Sequence, residues 1–190
     1  MLWKHAFVVT FAYLLCGVNS IKNARSERLC TEYYAKGKTY DLNELPAQMY
    51  GVYFWPPNQR QRDTCENISF KKLTEDEATL MNDECDALEL PLNETVMKGT
   101  YINSAGKTVN LLYYGDEEVK NMYRACDKII AKYIFIKVHE IYVLGINCSA
   151  GGRGILFCKY LPSRPELQAM VDSIEIMNGR EGSPDCPLSR

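Results

Sequence analysis

Histidine is nearly missing from this sequence: only His5 and His139 are present. No Ser/His/Asp or Cys/His set can be assembled from so few imidazoles, so an enzyme is not expected. No cysteine pair is spaced as CxxC. A metal site is therefore not expected either, and no cofactor. Charge of one sign is also lacking. The net charge is −2 at pH 7, without the basic face or high pI of a nucleic-acid binder. Beyond the first residues no apolar run approaches the roughly 20 residues of a spanning helix, so no transmembrane span is expected. No repeat, low-complexity tract or long linker interrupts the chain. Its 190 residues suit one domain with a substantial core.

What is there begins with a leader. Lys4 precedes an unbroken apolar run, AFVVTFAYLLCGV, and then Asn19-Ser20. Val18 and Ser20 are the small residues a signal peptidase reads, so residues 1–20 are expected to be a secretory signal peptide. A membrane anchor or buried N-terminal helix is the alternative. Residues 21–190 then form the single domain, one charge more negative after loss of Lys4. Cys16 falls in the leader. Cys30, Cys65, Cys85, Cys126, Cys148, Cys158 and Cys186 remain. In a secreted chain these are expected mostly as disulfides, and their odd number leaves one free or paired between chains. Sequons at Asn67, Asn93 and Asn147 fit a secreted glycoprotein.

Residues 21–29 are polar and read as a loose arm. After them the chain alternates short β-like runs with turn residues: GVYFW (51–55), CENISFKKL (65–73), MKGTYIN (97–103), KTVNLLYYG (107–115), KYIFIKV (132–138), IYVLGIN (141–147) and ILFCKYL (155–161). TLMNDECDALEL (79–90) fits a strand or a short helix. The period then changes. Ser163 and Glu166 form an S-x-x-E capping box with Pro165 in the first turn. Leu167, Met170, Val171, Ile174 and Met177 make a helical stripe, and Gly179 marks its end. This order predicts a mostly β fold: an eight-stranded antiparallel up-and-down barrel over about 48–161. One C-terminal α-helix, about 163–178, packs on its outside, and a tail covers 179–190.

These features resemble the lipocalin family, in particular the insect-type secreted members similar to bilin-binding and apolipoprotein D-like proteins. MYGVYF resembles the family's Gly-x-Trp, with Gly51 matching and Tyr53 in place of the tryptophan. Lys159, in FCKY, stands nearest to the arginine that covers the closed-end ring. KVHEIYVLG lacks the family's Thr-Asp-Tyr turn, with His139 and Glu140 in its place. The resemblance implies Gly51, Tyr53 and Lys159 as closed-end structural residues. It also implies the disulfides Cys30–Cys148 and Cys65–Cys186. Cys85–Cys126 is then the expected third bond with Cys158 free, and a Cys148–Cys158 link across the hairpin around Arg153 competes.

Alternation turns Trp55 inward if Tyr53 is inward, and Val52 and Phe54 outward. A glycan on Asn67 must point out, so Ile68 and Phe70 point in. On the next hairpin Val109, Leu111 and Tyr113 are taken as the inward set. The expected ligand-binding residues are Trp55, Ile68, Phe70, Leu111 and Tyr113, with Arg60, Arg62 and Arg153 at the mouth to receive an anionic head group. Asp116, Glu117 and Glu118 are expected on another open-end loop. The plain alternatives are packed core for the aromatics and solvated surface for the arginines. The expected function is a secreted, extracellular carrier of a small hydrophobic molecule, such as a fatty acid, sterol-like compound or pigment. The alternative is a secreted interaction or inhibitor protein, whose packed barrel binds a protein partner through its open-end loops.

Overall fold

The computed structural model describes residues 25–189 except 37, 60–61, 86–88, 104, 116–117 and 125–129. The expected leader, together with Arg60, Asp116, Glu117 and Cys126, lies outside the described residues. Residues 25–34 form helix α1 rather than a loose arm. Leu29, Cys30, Tyr33 and Tyr34 share one face at helical spacing and join an apolar cluster on the barrel wall. Strand β1 (Lys38–Thr39) and a 3-10 turn at Leu42–Glu44 follow, the turn capped by Asp41, whose Oδ1 accepts from the Asn43 amide at 2.9 Å.

The barrel strands are β2 (Gln48–Trp55), β3 (Glu66–Lys72), β4 (Val96–Ile102), β5 (Thr108–Tyr114), β6 (Lys120–Arg124), β7 (Ile130–Lys137), β8 (Tyr142–Asn147) and β9 (Arg153–Cys158). Each pairs antiparallel with the next in the chain, and β9 returns to β2 from Tyr50↔Cys158 to Trp55↔Gly154. Among the described residues this makes a closed eight-stranded up-and-down ring, as expected. Two scraps of strand cover the edges that shorter neighbours leave open. Strand β1 pairs with β7 at Ile136 and Lys137, beyond the reach of β6. Strand β10 (Ser183–Pro184) pairs with β2 at Tyr53 and Phe54, beyond the reach of β3.

Among the described residues of 79–90 there is no strand. Helix α2 (Glu75–Glu84) takes the first half of that stretch behind a capping box: the Glu77 amide donates to Thr74 Oγ1 at 3.3 Å, and the Thr74 amide to Glu77 Oε2 at 3.1 Å. The eighth strand is β6, whose sequence KNMYR is too polar to stand out. Its Lys120 is buried, and Nζ donates to the Gly115 carbonyl at 2.8 Å. Helix α3 (Arg164–Ser173) has the expected capping box, with the Ser163 amide 2.7 Å from Glu166 Oε2. Leu167, Ile174 and Met177 are buried in the same cluster as Val52, Tyr53 and Trp55.

The interior differs from expectation on β2. Gly51 pairs with Phe157 and Tyr53 with Leu156, so Val52 is an extra residue in a β-bulge. The bulge reverses the alternation beyond it, because one inserted residue flips every later side chain. Met49 belongs to the inner cluster, and a Cβ on Gly51 would lie 3.4 Å from the Phe54 ring. Val52, Tyr53 and Trp55 fall in the outer cluster instead, the last two rings tilted against each other with centroids 4.6 Å apart. The closed end is filled by Tyr40, Leu42 and Leu45 of the entering chain, which join the inner cluster. Tyr53 is therefore not its floor. Lys159 is exposed just past β9, its amide bonded to the Ile141 carbonyl. Glu118 lies at this closed end, on the β5–β6 connection, where it accepts from the Tyr34 hydroxyl at 3.0 Å. The open-end placement of that acidic loop is corrected accordingly.

Candidate functional site

The barrel interior has two levels. The level nearer Leu42 is filled with rings. Phe70 touches Tyr113, Phe135 and Phe157 at centroid distances of 6.4, 6.3 and 6.2 Å. Tyr113, Tyr133 and Phe135 contact one another at 4.9 to 5.1 Å. Inward glycines make the room. A Cβ on Gly145 would lie 2.4 Å from the Tyr133 hydroxyl and 2.9 Å from Phe157, and one on Gly99 would press Ile68, Phe70 and Tyr113 at 3.2 to 3.3 Å. Ile68, Phe70, Leu111 and Tyr113, expected to line a ligand, all join this inner cluster and pack with one another. Trp55, expected beside them, faces outward with Tyr53, and Gly182 of the C-terminal tail lies against both rings.

The level nearer the mouth is polar. Glu66 alternates with Ile68 and Phe70 on β3 and is 8% exposed. Arg62 pairs with it, and its Nε also lies 3.4 Å from Asp185 Oδ2. Asp185, 1% exposed, accepts from Asn58 Nδ2 at 2.6 Å, and Asn58 Oδ1 accepts from Arg153 Nη2 at 2.7 Å. Two backbone bonds fasten the same place: the Arg62 amide donates to the Asp185 carbonyl (2.9 Å) and the Asp185 amide to the Val52 carbonyl (3.2 Å). Burial pushes the Glu66 carboxyl up to about 7; Arg62 opposes the shift and Asp185 adds to it. Burial, and then the charge of Glu66, also raises Tyr101. The Tyr133 hydroxyl is buried and has no hydrogen-bond partner among the described residues.

Arg62 and Arg153 thus meet at the mouth as expected, but both are engaged, Arg62 by two carboxylates and Arg153 by Asn58. Neither is a spare cation for an anionic head group. Glu66, Tyr101, Tyr133 and Asp185 were not among the expected residues. Glu66 carried a signal: it shares the parity of Ile68 and Phe70 on β3. An open groove of about 910 Å3 runs along the outer face of β3 and β4, walled by Cys65, Asn67, Ser69, Thr100 and Ile102, and meets the cluster at Arg62, Glu66 and Tyr101.

No family model matches the chain, and no curated protein matches it significantly. Among solved structures it is similar to lobster apocrustacyanin A1, with 10% identity over 86% of each chain and a TM-score of 0.46.

The covalent links fit an oxidising compartment. Cys30 is bonded to Cys148 and Cys65 to Cys186, with Cα atoms 5.4 and 4.8 Å apart. This removes the competing Cys148–Cys158 link, and Cys158 is a buried free thiol. Cys85 is disulfide-bonded, while Cys126 lies outside the described residues. Asn67 and Asn93 are exposed. Asn147 is half-buried, and its Oδ1 accepts from the Ala150 amide at 3.0 Å. Among the described residues, no group of His, Cys, Asp and Glu is arranged to hold a metal ion, and no helix is long and apolar enough to cross a membrane.

Proposed function

We propose that the chain is a secreted, glycosylated lipocalin that binds a compact small molecule at the barrel mouth. Its apolar body would rest on the ring stack, and a hydrogen-bond donor would meet Glu66 and Tyr101. One observation carries this reading: a carboxyl group 8% exposed shares the inward face of β3 with Ile68 and Phe70, at the mouth end of the ring cluster. Buried charge is costly unless something binds it, and such groups gather at binding sites. The buried Tyr133 hydroxyl, without a hydrogen-bond partner among the described residues, adds support. An elongated fatty acid lying along the barrel axis fits less well, because the rings at Phe70 and Phe135 stand in its path. We further propose Cys85–Cys126 as the third disulfide and Asn67, Asn93 and Asn147 as glycan sites.

The same ring stack supports a second reading, a packed scaffold that binds a protein through its open-end loops. Native mass spectrometry separates the two. The protein is secreted from a eukaryotic host, deglycosylated and weighed before and after denaturation. Extra mass that denaturation removes is expected, and Glu66→Gln should lose it while Trp55→Phe keeps it. No extra mass, together with no uptake of fatty acids, retinoids or haem-like pigments, would overturn the binding reading in favour of the scaffold.

A further inference from the structure

Much of the outer barrel wall is covered by the chain's own elements. Helices α1 and α3, with the residues after α3, pack on β7, β8, β9 and the end of β2. Helix α2 and Leu90 pack on β5, β6 and the start of β4. The outer face of β3 and the later half of β4 is built differently. It carries a polar rung across the strands, with Gln48 opposite Ser69, Ser69 opposite Thr100, and Thr100 opposite Asn110. Ser69 Oγ donates to the Thr100 carbonyl at 3.3 Å, and Thr100 Oγ1 to Asn110 Oδ1 at 3.0 Å. Beside the rung Ile102 is 63% exposed and, among the described residues, joins none of the apolar clusters. A single exposed apolar side chain is ordinary. This one borders the 910 Å3 groove, and so does Asn67.

We propose that the N-linked glycan of Asn67 lies back in this groove, its first sugars resting a C–H face on Ile102 and hydrogen-bonding to the Ser69–Thr100 rung. The barrel wall then has a third cover, made of carbohydrate. The inference rests on the proposed modification of Asn67 and is independent of ligand binding at the mouth.

Position and chemistry both favour this occupant. Asn67 is exposed between Glu66 and Ile68, which are buried and face inward, so its side chain points out into the groove. Attachment joins the anomeric carbon of a lipid-linked oligosaccharide to Nδ2, which gives up a proton while the lipid diphosphate leaves. The first sugar is thereby held at the groove, and its contacts are made at the high effective concentration of a tethered group. A sugar ring carries hydroxyl and acetamido groups on its rim and C–H bonds on its faces. The groove offers the complement. The Ser69 and Thr100 hydroxyls have committed their protons, and their oxygens can accept from sugar hydroxyls. Ile102 supplies the apolar contact. An added peptide strand is a poor occupant, because β3 is already paired with β2 on one side and β4 on the other.

The test is enzymatic release of the glycan from the full mature chain, secreted from a eukaryotic host, with glycopeptide mapping at each time point. Asn67 is expected to carry sugar. Its release from the native protein should be about tenfold slower than from the reduced and denatured chain, the factor given by covering most of a side chain the size of Ile102. Ile102→Ser should remove most of that protection. The side chain is exposed, so the variant should keep the wild-type circular dichroism. Release as fast from the native as from the denatured chain would overturn the cover and leave the Asn67 site standing. Slow release that Ile102→Ser leaves unchanged would overturn it too, since the strand rather than a seated sugar would then be shielding the linkage. An unmodified Asn67 would overturn both the cover and the site. None of these results bears on ligand mass, which is measured on deglycosylated protein.

Discussion

The two levels of the barrel interior are made by the same strands with opposite chemistry. On β3, Phe70 ends in a stack of rings, while Glu66, two steps earlier on the same face, ends in an ion pair. On β7, Phe135 is enclosed by Tyr113 and Tyr133, while the hydroxyl of Tyr133 is buried without a partner. The lower level is satisfied as it stands: apolar rings need only each other. The upper level is not, since the Tyr133 hydroxyl is buried with no hydrogen-bond partner among the described residues. On the proposed function, stability and binding fall to different depths of one barrel.

The comparison can be broken most forcefully from below. Phe135→Ala should cost about 4 kcal/mol in denaturant unfolding, the usual loss for a large ring removed from a packed core. It should leave the pH response of the mouth intact. If that response moved with it, the two levels would not be separate.

Next in size is the upper level's own pH dependence. The folded state holds the Glu66 proton more tightly than the unfolded chain does. Its contribution is therefore complete below about 4.5 and lost as pH rises through about 7. The total is about 3 kcal/mol from the relation between pKa and free energy. Urea unfolding over a pH series, taken as wild type minus Glu66→Gln, isolates this share. A difference that stays flat across the interval would mean that the carboxyl is not perturbed by folding.

Between the levels stands Gly145, which lets Tyr133 lie flat. Gly145→Ala should destabilise by about 2 kcal/mol through overpacking. Adding Tyr133→Phe should restore part of that loss, since the closest clash is with the hydroxyl oxygen. No recovery in the double variant would place the strain elsewhere. The smallest effect is a control outside the barrel. Thr74→Ala should cost about 1 kcal/mol by uncapping α2, with both levels unchanged. Ligand uptake and Glu66 titration should match the wild type.

Much of the fold was legible. Period-two runs marked most strands, and the S-x-x-E box at Ser163 marked α3. The same signature at Thr74–Glu77 went unread because only Ala78 of α2 is fully buried, so no apolar stripe followed it. Strand β6 hid behind its lysine and asparagine. The candidate site was less legible. Parity placed Glu66 inward, yet a carboxylate is expected in water unless a partner holds it. Its companions come from distant places, Asp185 from the tail and Tyr133 from β7.

Local periodicity determined the order of strands, the capped helix and which residues alternate within each unbroken run. Those are properties of neighbouring residues, set by backbone geometry and side-chain polarity. Only the tertiary structure decided that Trp55 and Tyr53 face outward. The bulge at Val52 lies in the pairing of β2 with β9, a strand more than a hundred residues further along the chain. It also decided the surroundings of Glu66, because Asp185 of the distant tail holds the Arg62 that pairs with it, and no short stretch of sequence contains all three.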